Sequence, residues 1–515
     1  MNAARTRPAR TLMVQGSASS VGKSLIVAAL CRIFHNEGLS VAPFKAQNMA
    51  LNSFVTPEGG EIGRAQAVQA EAAGLDPRVE MNPILLKPEG GMRSQVVVLG
   101  KPRGRMTWPE YQRLRPELVG IIADALRTLR AEYDLIIIEG AGSPAEVNLA
   151  AQDIVNMHVA AEAQAPVLLV GDIDRGGVFA HLTGTMELLA PADRARVAGF
   201  LINKFRGDPA LLAPGLEFLR ARFEIPVVGV IPFVDRLRIA DEDSVALEDR
   251  RNRSAGRPGQ IDIAVIKLPR LSNYDDFLAL EHEDGVAVRF VDEANEIAGA
   301  DLVIIPGSKS TVADLGWLNE SGIATAIVTR VQAGGLVAGI CAGAQMLGER
   351  IEDPYRVESD QPAARGLGLL PITTRFAKTK LTAQVRARVE TPSILSGTQP
   401  IAGEISAYEI HMGNVERVAD SAAPFRIVAR NGAPTDLPDG AINRDGTVAG
   451  TMLHGIFENH ALRAALVEAL RERKGLAARA ATRPVASREA EYDRLAAAVA
   501  ASVDLPAIRK ITGLG

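Results

Sequence analysis

Cysteine is scarce. The chain has two among 515 residues, Cys31 and Cys341. Two thiols give no disulfide framework and fit a reducing compartment. Long apolar runs are missing as well: no stretch approaches the ~18 uncharged residues that would cross a membrane. Neither sign of charge dominates, and a formal net charge of -4 excludes the basic footprint of a nucleic-acid binder or a polybasic membrane-surface protein. Aromatics make up only 4% of the chain. The opening stretch MNAARTRPARTLMVQG carries arginines but no apolar h-region, which predicts a short loose tail. No internal repeat or low-complexity tract stands out. These absences point to a cytoplasmic α/β protein with small-molecule partners, no nucleic acid and no membrane. A homodimer stays open.

What the chain has is glycine, 47 residues of it, placed where short apolar runs end. In the first half TLMVQG, LSVAPFK, DLIIIEG, APVLLVGD, VAGFLINK and IPVVGVIP alternate with helical Ala/Leu/Arg stretches. Continuous apolar strands of this kind belong to a parallel sheet covered on both faces. The alternation predicts a doubly wound α/β sheet with ligands beyond the carboxyl ends of its strands. Between about 241 and 260 the pattern fails, since DEDSVALEDRRNRSAGRPGQ is charged and then rich in Gly, Pro and Ser. That stretch reads as a linker or exposed loop, with a boundary near 255. A second α/β series follows: IDIAVIKLP, VAVRFV, ADLVIIPGSKS, GLVAGICAG and GTVAGTMLHGIFEN. The chain is too long for one core, so two domains are expected, 1–250 and 251–515. The second takes in an amphipathic C-terminal helix, SREAEYDRLAAAVAASV.

VQGSASSVGKSLIVAAL follows the first strand and opens a helix. A loop there aims backbone N–H groups at one point, and the helix N-terminus adds partial positive charge. Gly16, Ser19, Val21, Gly22, Lys23 and Ser24 are the candidate ATP-binding residues, with Lys23 for the outer phosphates and the Ser24 hydroxyl for Mg²⁺. Five residues separate Gly16 from Gly22, one more than the common P-loop expression allows. This longer loop resembles the dethiobiotin synthetase-like branch of P-loop enzymes. The resemblance implies a second magnesium ligand at Glu139, ending one strand, and an adenine contact at Asn203, ending another.

Cys341 sits in GLVAGICAGAQMLG, a strand, a sharp turn and a helix. Taken alone a buried cysteine is a core residue, as Cys31 is expected to be. Here small residues flank it as at a nucleophile elbow, and the helix behind favours a thiolate. The backbone N–H of Ala342 is one candidate oxyanion donor, and the strand end at Gly307 and Ser308 supplies another. His454, in GTMLHGIFEN, is the candidate base. This order resembles class I (triad) glutamine amidotransferase domains, with a flavodoxin-like α/β fold. Most of them orient the histidine by a glutamate two residues later, where this chain has Ile456; Glu458 is the nearest acid downstream. The departure predicts a weaker base, and slow glutamine turnover unless the synthetase site is filled. His411, in AYEIHMGN, either lines the glutamine pocket or is structural.

Both domains together, with PFKAQNMALNS, EMNPILLKP, GDIDRGGVFA and AYEIHMGN, resemble the cobyric acid synthase family. The sibling a,c-diamide synthases share the architecture but differ after strand two. The resemblance implies amidation of the b, d, e and g carboxylates of adenosylcobyrinic acid a,c-diamide, with ATP, Mg²⁺ and glutamine and no tightly bound organic cofactor. Lys45, Gln47, Asn48, Asp172, Asp174 and Arg175 lie at strand ends beside the phosphate loop and are candidate contacts for the corrinoid substrate. Two other classes compete, a nucleotide-switch ATPase and a scaffold with an inactive amidotransferase domain. The first usually has a lysine where this loop has Ser17; intact Cys341 and His454 argue against the second.

Overall fold

A computed structural model describes residues 8–235, 237–240, 259–418, 421–478 and 487–514. The tail before residue 8, and the linker expected from 241 with its boundary near 255, lie outside the described residues. Six strands form the first sheet: β1 (Arg10–Gly16), β2 (Val41–Phe44), β3 (Leu135–Glu139), β4 (Val167–Asp172), β5 (Val197–Phe205) and β6 (Val227–Pro232). Their order is β6-β5-β4-β1-β3-β2 and every neighbouring pair is parallel. Successive side chains go to opposite faces: Met13, Ile136 and Ile138 join one core, while Leu12, Val14, Leu135 and Ile137 join the other. Burying each such side chain contributes about 1.5–3 kcal/mol, which is why these strands tolerate no polar alternation. The chain moves to one side of β1 and later to the other, so the crevice for ligands opens at the end of β1. Gly16, Glu139 and Asp172 end their strands at that edge, and Asn203, two residues before the end of β5, pairs with Asp172 there.

The second sheet contains β7 (Ile261–Ile266), β8 (Val286–Val291), β9 (Leu302–Ile305), β10 (Leu336–Ile340), β11 (Ala441–Ile442) and β12 (Val448–Thr451). Its order is β8-β7-β9-β10-β12-β11, parallel except for the short antiparallel edge β11. The two parallel sheets match the expected α/β class. The antiparallel layers do not follow from the sequence reading. Strands Ile84–Pro88, Arg93–Val98 and Lys101–Thr107 form one, with Gln47–Met49 added in parallel at its edge, and the long pair Ile372–Val389 and Ile405–Arg417 anchors another. A hairpin of Ser53–Val55 with Glu61–Gly63 leaves the first half and packs on that long pair.

Among the helices, α1 (Lys23–Asn36), α2 (Arg64–Ala72) and α3 (Ala342–Leu347) carry residues of the pockets, and α4 (Arg488–Ala500) lies near the end of the chain. The placement of α4 corrects the expected partition. It lies on α1 of the first half, not on the second sheet. Arg32 of α1 pairs with Asp493 at 2.7 Å, and the Tyr492 hydroxyl donates to Glu71 of α2 at 2.7 Å. The chain beyond it then adds to the edge of β6, where Asp504 N donates to Val228 O at 2.7 Å. An amphipathic helix announces that one face is covered; its sequence does not say by what.

Candidate active sites

The phosphate loop is shaped by two glycines with no alternative. A Cβ on Gly16 would stand 2.6 Å from Val21 Cγ2, and one on Gly22, at φ +97°, would overlap the Asn203 amide. Gly22 caps α1 without a side-chain bond, so the first amides of the helix are served by no capping side chain. Asn203 Nδ2 donates to Val21 O at 2.8 Å. Lys204 Nζ reaches both Ser20 O, at 2.7 Å, and Asp172 Oδ2, at 2.8 Å. Asn203, expected at the adenine, therefore also braces the loop from behind. Lys23 Nζ spans Ala18 O at 3.2 Å and Gly142 O at 3.1 Å, across the mouth of the loop. Ser19 is exposed on the rim and Val21 is buried beneath it.

Glu139 is the centre of this pocket and is fully buried. Its Oε1 accepts from the Ser24 hydroxyl at 2.8 Å and from Lys45 Nζ at 2.9 Å. Its Oε2 accepts from Gln69 Nε2 at 2.5 Å and Gln66 Nε2 at 3.4 Å, both on α2. A hydroxyl and a carboxylate side by side are hard oxygen donors of the type Mg²⁺ takes. The residues fit that metal. Asn48 joins the cluster by donating to Gln66 Oε1 at 2.9 Å, and Gln47 accepts from the Tyr111 hydroxyl. Asp172 adjoins the loop through Lys204. Asp174 and Arg175 lie on the exposed turn after β4, where Arg206 holds the Asp174 carboxylate at 2.9 Å. The structure thus gathers Lys45 and Asn48 near Glu139, sets Gln47 against Tyr111, and leaves Asp174 and Arg175 at the rim.

The second site is built on an elbow between β10 and α3. Cys341 has φ +50° and ψ −109°, a conformation that costs a non-glycine residue about 1–3 kcal/mol. Glycines let the turn close: a Cβ on Gly339 would stand 2.6 Å from Ala344 N, and one on Gly343 would overlap Ile305 O. Cys341 N donates to Thr451 O at 2.7 Å, which ties the elbow to β12 and brings His454 alongside. Gly307 is small for a reason of its own, since a Cβ there would lie 3.0 Å from His454 Cε1. The Ser308 hydroxyl donates to Asp314 at 2.7 Å and is committed there. Only the backbone of that strand end can face the thiol.

His454 does not lack a carboxylate partner. Its Nδ1 lies 2.6 Å from Asp276 Oδ2, and Asp276 Oδ1 accepts from Gly455 N at 2.8 Å. Tyr408 stacks on the ring, with centroids 5.2 Å apart. The expectation of a weak, unsupported histidine is corrected: Ile456 is core, Glu458 pairs with Arg488 at 3.1 Å, and the orienting acid comes from far upstream. Burial opposes charge on the ring, yet Asp276 and then Cys341 outweigh it and push its pKa up to about 10. No local signal in SNYDDF sets Asp276 apart.

The cavity over Cys341 is lined by Gln345, Glu358, His411 and Lys309, together with Lys87 and Gln95 of the first half. His411 lines it while its Nδ1 is held 2.8 Å from Gly413 O. Burial pushes the Glu358 carboxyl up to about 7, against the pull of Lys309 and two hydrogen bonds to Thr311 and Val312. The halves are joined here by buried charge. Glu61 pairs with Lys87 at 2.7 Å and with Lys380 of the long strand at 2.5 Å. Lys309 pairs with Glu89 at 2.7 Å.

Fold and sites define a class: a P-loop synthetase domain joined in one chain to a cysteine amidotransferase domain. Two family descriptions match in that order. The CobQ/CobB/MinD/ParA nucleotide binding domain covers residues 12–246, and the CobB/CobQ-like glutamine amidotransferase domain covers residues 262–462. The cobyric acid synthase of Sorangium cellulosum (strain So ce56) is 60% identical over 515 residues, covering 98% of this chain and 99% of that one. Those of Dehalococcoides mccartyi (strain CBDB1) and Moorella thermoacetica (strain ATCC 39073 / JCM 9320) are 51% and 50% identical, with 98% of this chain and 99% and 98% of theirs covered. This chain belongs to the cobyric acid synthase family. Among the described residues no helix is long and apolar enough to cross a membrane.

Proposed function

We propose that the chain amidates the b, d, e and g side-chain carboxylates of adenosylcobyrinic acid a,c-diamide, using ATP and ammonia released from glutamine. In the second half, Cys341 Sγ attacks the glutamine amide carbon. The oxyanion is received by Ala342 N–H and by the backbone at Gly307 and Ser308, and His454 passes its proton to the departing ammonia. Water then cleaves the thioester to glutamate. Asp276 keeps the imidazole in one tautomer and orientation throughout. Glu358 takes the ammonium group of glutamine.

A carboxylate resists attack by ammonia, because its charge repels the nucleophile and oxide is a poor leaving group. In the first half the substrate carboxylate oxygen takes the γ-phosphoryl group of ATP and releases ADP. Ammonia attacks the resulting acyl phosphate, phosphate leaves, and a proton is lost from nitrogen. Gly16, Ser19, Val21 and Gly22 cradle the phosphates, Lys23 neutralises the outer ones and Asn203 contacts the adenine. Ser24 and Glu139 would hold Mg²⁺, which offsets negative charge on the phosphates when bound. Lys45, Gln47 and Asn48 face the acceptor carboxylate, with Asp172, Asp174 and Arg175 farther out along the same edge. One observation carries this reading: the cavity over the thiol is walled by Lys87 and Gln95 of the nucleotide-binding half. Ammonia released there meets the other domain before bulk water.

The test is incubation with the a,c-diamide, ATP-Mg and glutamine, with products read by mass. Four successive acid-to-amide exchanges are expected. Turnover of cobyrinic acid at its a and c carboxylates alone, with the a,c-diamide untouched, would assign the chain to the sibling activity instead.

A further inference from the structure

Helix α2 touches both sites. At its start Arg64 Nε lies 3.0 Å from Asp275 Oδ2, both side chains nearly fully buried. Asp275 precedes Asp276, the acid on His454. Farther along, Gln66 and Gln69 donate to the Glu139 carboxylate at 3.4 and 2.5 Å. Gln66 and Gln69 are three apart and share a face, while Arg64, two residues before Gln66, leaves from the other side. The turn that Arg64 meets is also gripped by the chain just before α2. Ser53 N donates to Asn273 Oδ1 at 3.1 Å, and Tyr274 N donates to Asn52 Oδ1 at 3.3 Å. Asn273 is itself held at φ +53°, so the turn has a defined, strained shape.

Two further details show that this contact has room to change. Arg64 Nε and Asp275 Oδ1 are buried and make no hydrogen bond, so the pair is in ionic contact without an aligned N–H···O bond. Buried polar atoms left so are unfavourable, and a small shift of the helix would align them. At the other end, Glu139 already takes four donors. A cation drawing on its oxygens competes with those N–H and O–H groups, which gives two states with different contacts.

We infer that α2 couples the two pockets: Arg64 is a positioning residue that sets the Asp275–Asp276 turn, and Gln66 with Gln69 tie the helix to the state of Glu139. The inference rests on the proposed roles of Glu139 and Cys341. Its test uses no corrinoid, so failure of the substrate reading would show only in the product masses.

The full chain is alkylated with iodoacetamide and Cys341 modification is followed by peptide mass, with and without Mg²⁺ and a non-hydrolysable ATP analogue. Cys31, fully buried in α1, serves as the internal control. Nucleotide should change the Cys341 rate about fivefold or more. The Arg64→Gln variant, whose altered side chain leaves α2 on the side away from Glu139, should bind the analogue by calorimetry as tightly as wild type yet show less than about a twofold change of the Cys341 rate. An unresponsive wild type, or an Arg64→Gln variant as responsive as wild type, would each overturn the coupling. Arg64→Gln should lower glutaminase kcat about tenfold with KM for glutamine within about twofold, and Arg64→Lys should recover part of the loss. Equal loss in both variants, or a change confined to KM, would remove Arg64 from the positioning role.

Discussion

The two pockets hold buried charge in opposite ways. In the nucleotide pocket a carboxylate, Glu139, is satisfied by Ser24, Lys45, Gln66 and Gln69, only one of them a cation. In the thiol pocket an imidazole is set between an acid and a sulfur, and His454 is driven toward its charged form. The first arrangement suits a site that must exchange donors as ligands arrive, since neutral amides release a carboxylate at little electrostatic cost. The second stores a proton beside the atom that will need it. An imidazolium already in place can hand its proton to the departing ammonia without first having to be charged.

If that contrast is right, removing the thiol should separate the two chemistries most widely. Cys341→Ala is expected to lower glutamine-driven amidation by roughly 10³-fold or more while leaving the ammonia-driven reaction within about twofold. Comparable loss with free ammonia would mean that the sites do not divide the work. Asp276→Asn comes next, with glutaminase kcat down by about 10²–10⁴-fold, as expected when the imidazole loses its orienting acid. Its pH profile carries the sharper information. A ring whose folded pKa lies above the ordinary 6.5 contributes stability that is complete below 6.5 and lost as pH rises through about 10. The alkaline limb of glutaminase activity should therefore stand near that upper value and move down by about one unit or more in the variant. An unmoved limb would assign it to another group.

Lys45→Met tests the other pocket. It strips a paired cation from buried Glu139 and should destabilise the chain by about 3–5 kcal/mol, read as a lower midpoint in denaturant. Added Mg-ATP should recover more stability in the variant than in the wild type, because ligand binding replaces the missing positive charge. No difference in that recovery would mean that Lys45, rather than bound ligand, is the proper counter-charge of Glu139.

The same contrast explains what could be read from the chain. The nucleotide loop is one contiguous stretch from Gly16 to Ser24, and its chemistry is local: glycines for the backbone, a lysine, a hydroxyl and a helix start. Glu139 ends an apolar strand and Asn203 closes the apolar run of another, so period and punctuation marked them. The Cys341 elbow was equally legible, because glycine spacing reports backbone crowding. Asp276 was not, since its value comes from a tertiary contact with a residue 178 positions away. Gln66 and Gln69 were hidden for the same reason; a glutamine pair on a helix normally means a solvated face. The antiparallel layers escaped because Lys101–Thr107 has almost no apolar residues, and the alternation at the two ends of Ile372–Val389 is broken by the polar middle around Lys378–Lys380. The amphipathic face of α4 is legible in the sequence, and its partner α1 is not.

Glu358 offers the smallest and most selective test of the thiol pocket. Burial holds its carboxyl near 7, so it changes charge where glutamine is assayed. Above that pH the carboxylate can pair with the ammonium group of glutamine; below it the neutral acid gives up most of that attraction. The kcat/KM for glutamine should rise as pH passes upward through about 7, through KM rather than kcat. Glu358→Gln keeps the hydrogen bonds to Thr311 and Val312 nearly in shape but never ionises. It should raise KM by about tenfold at pH 8, as for the loss of one buried charge-assisted contact. At pH 6 the two proteins should converge, because the wild-type acid is then neutral as well. An unequal KM at pH 6 with no convergence would mean that Glu358 shapes the pocket rather than reading the charge of its ligand, and the cation-holding role in this cavity would pass to another group.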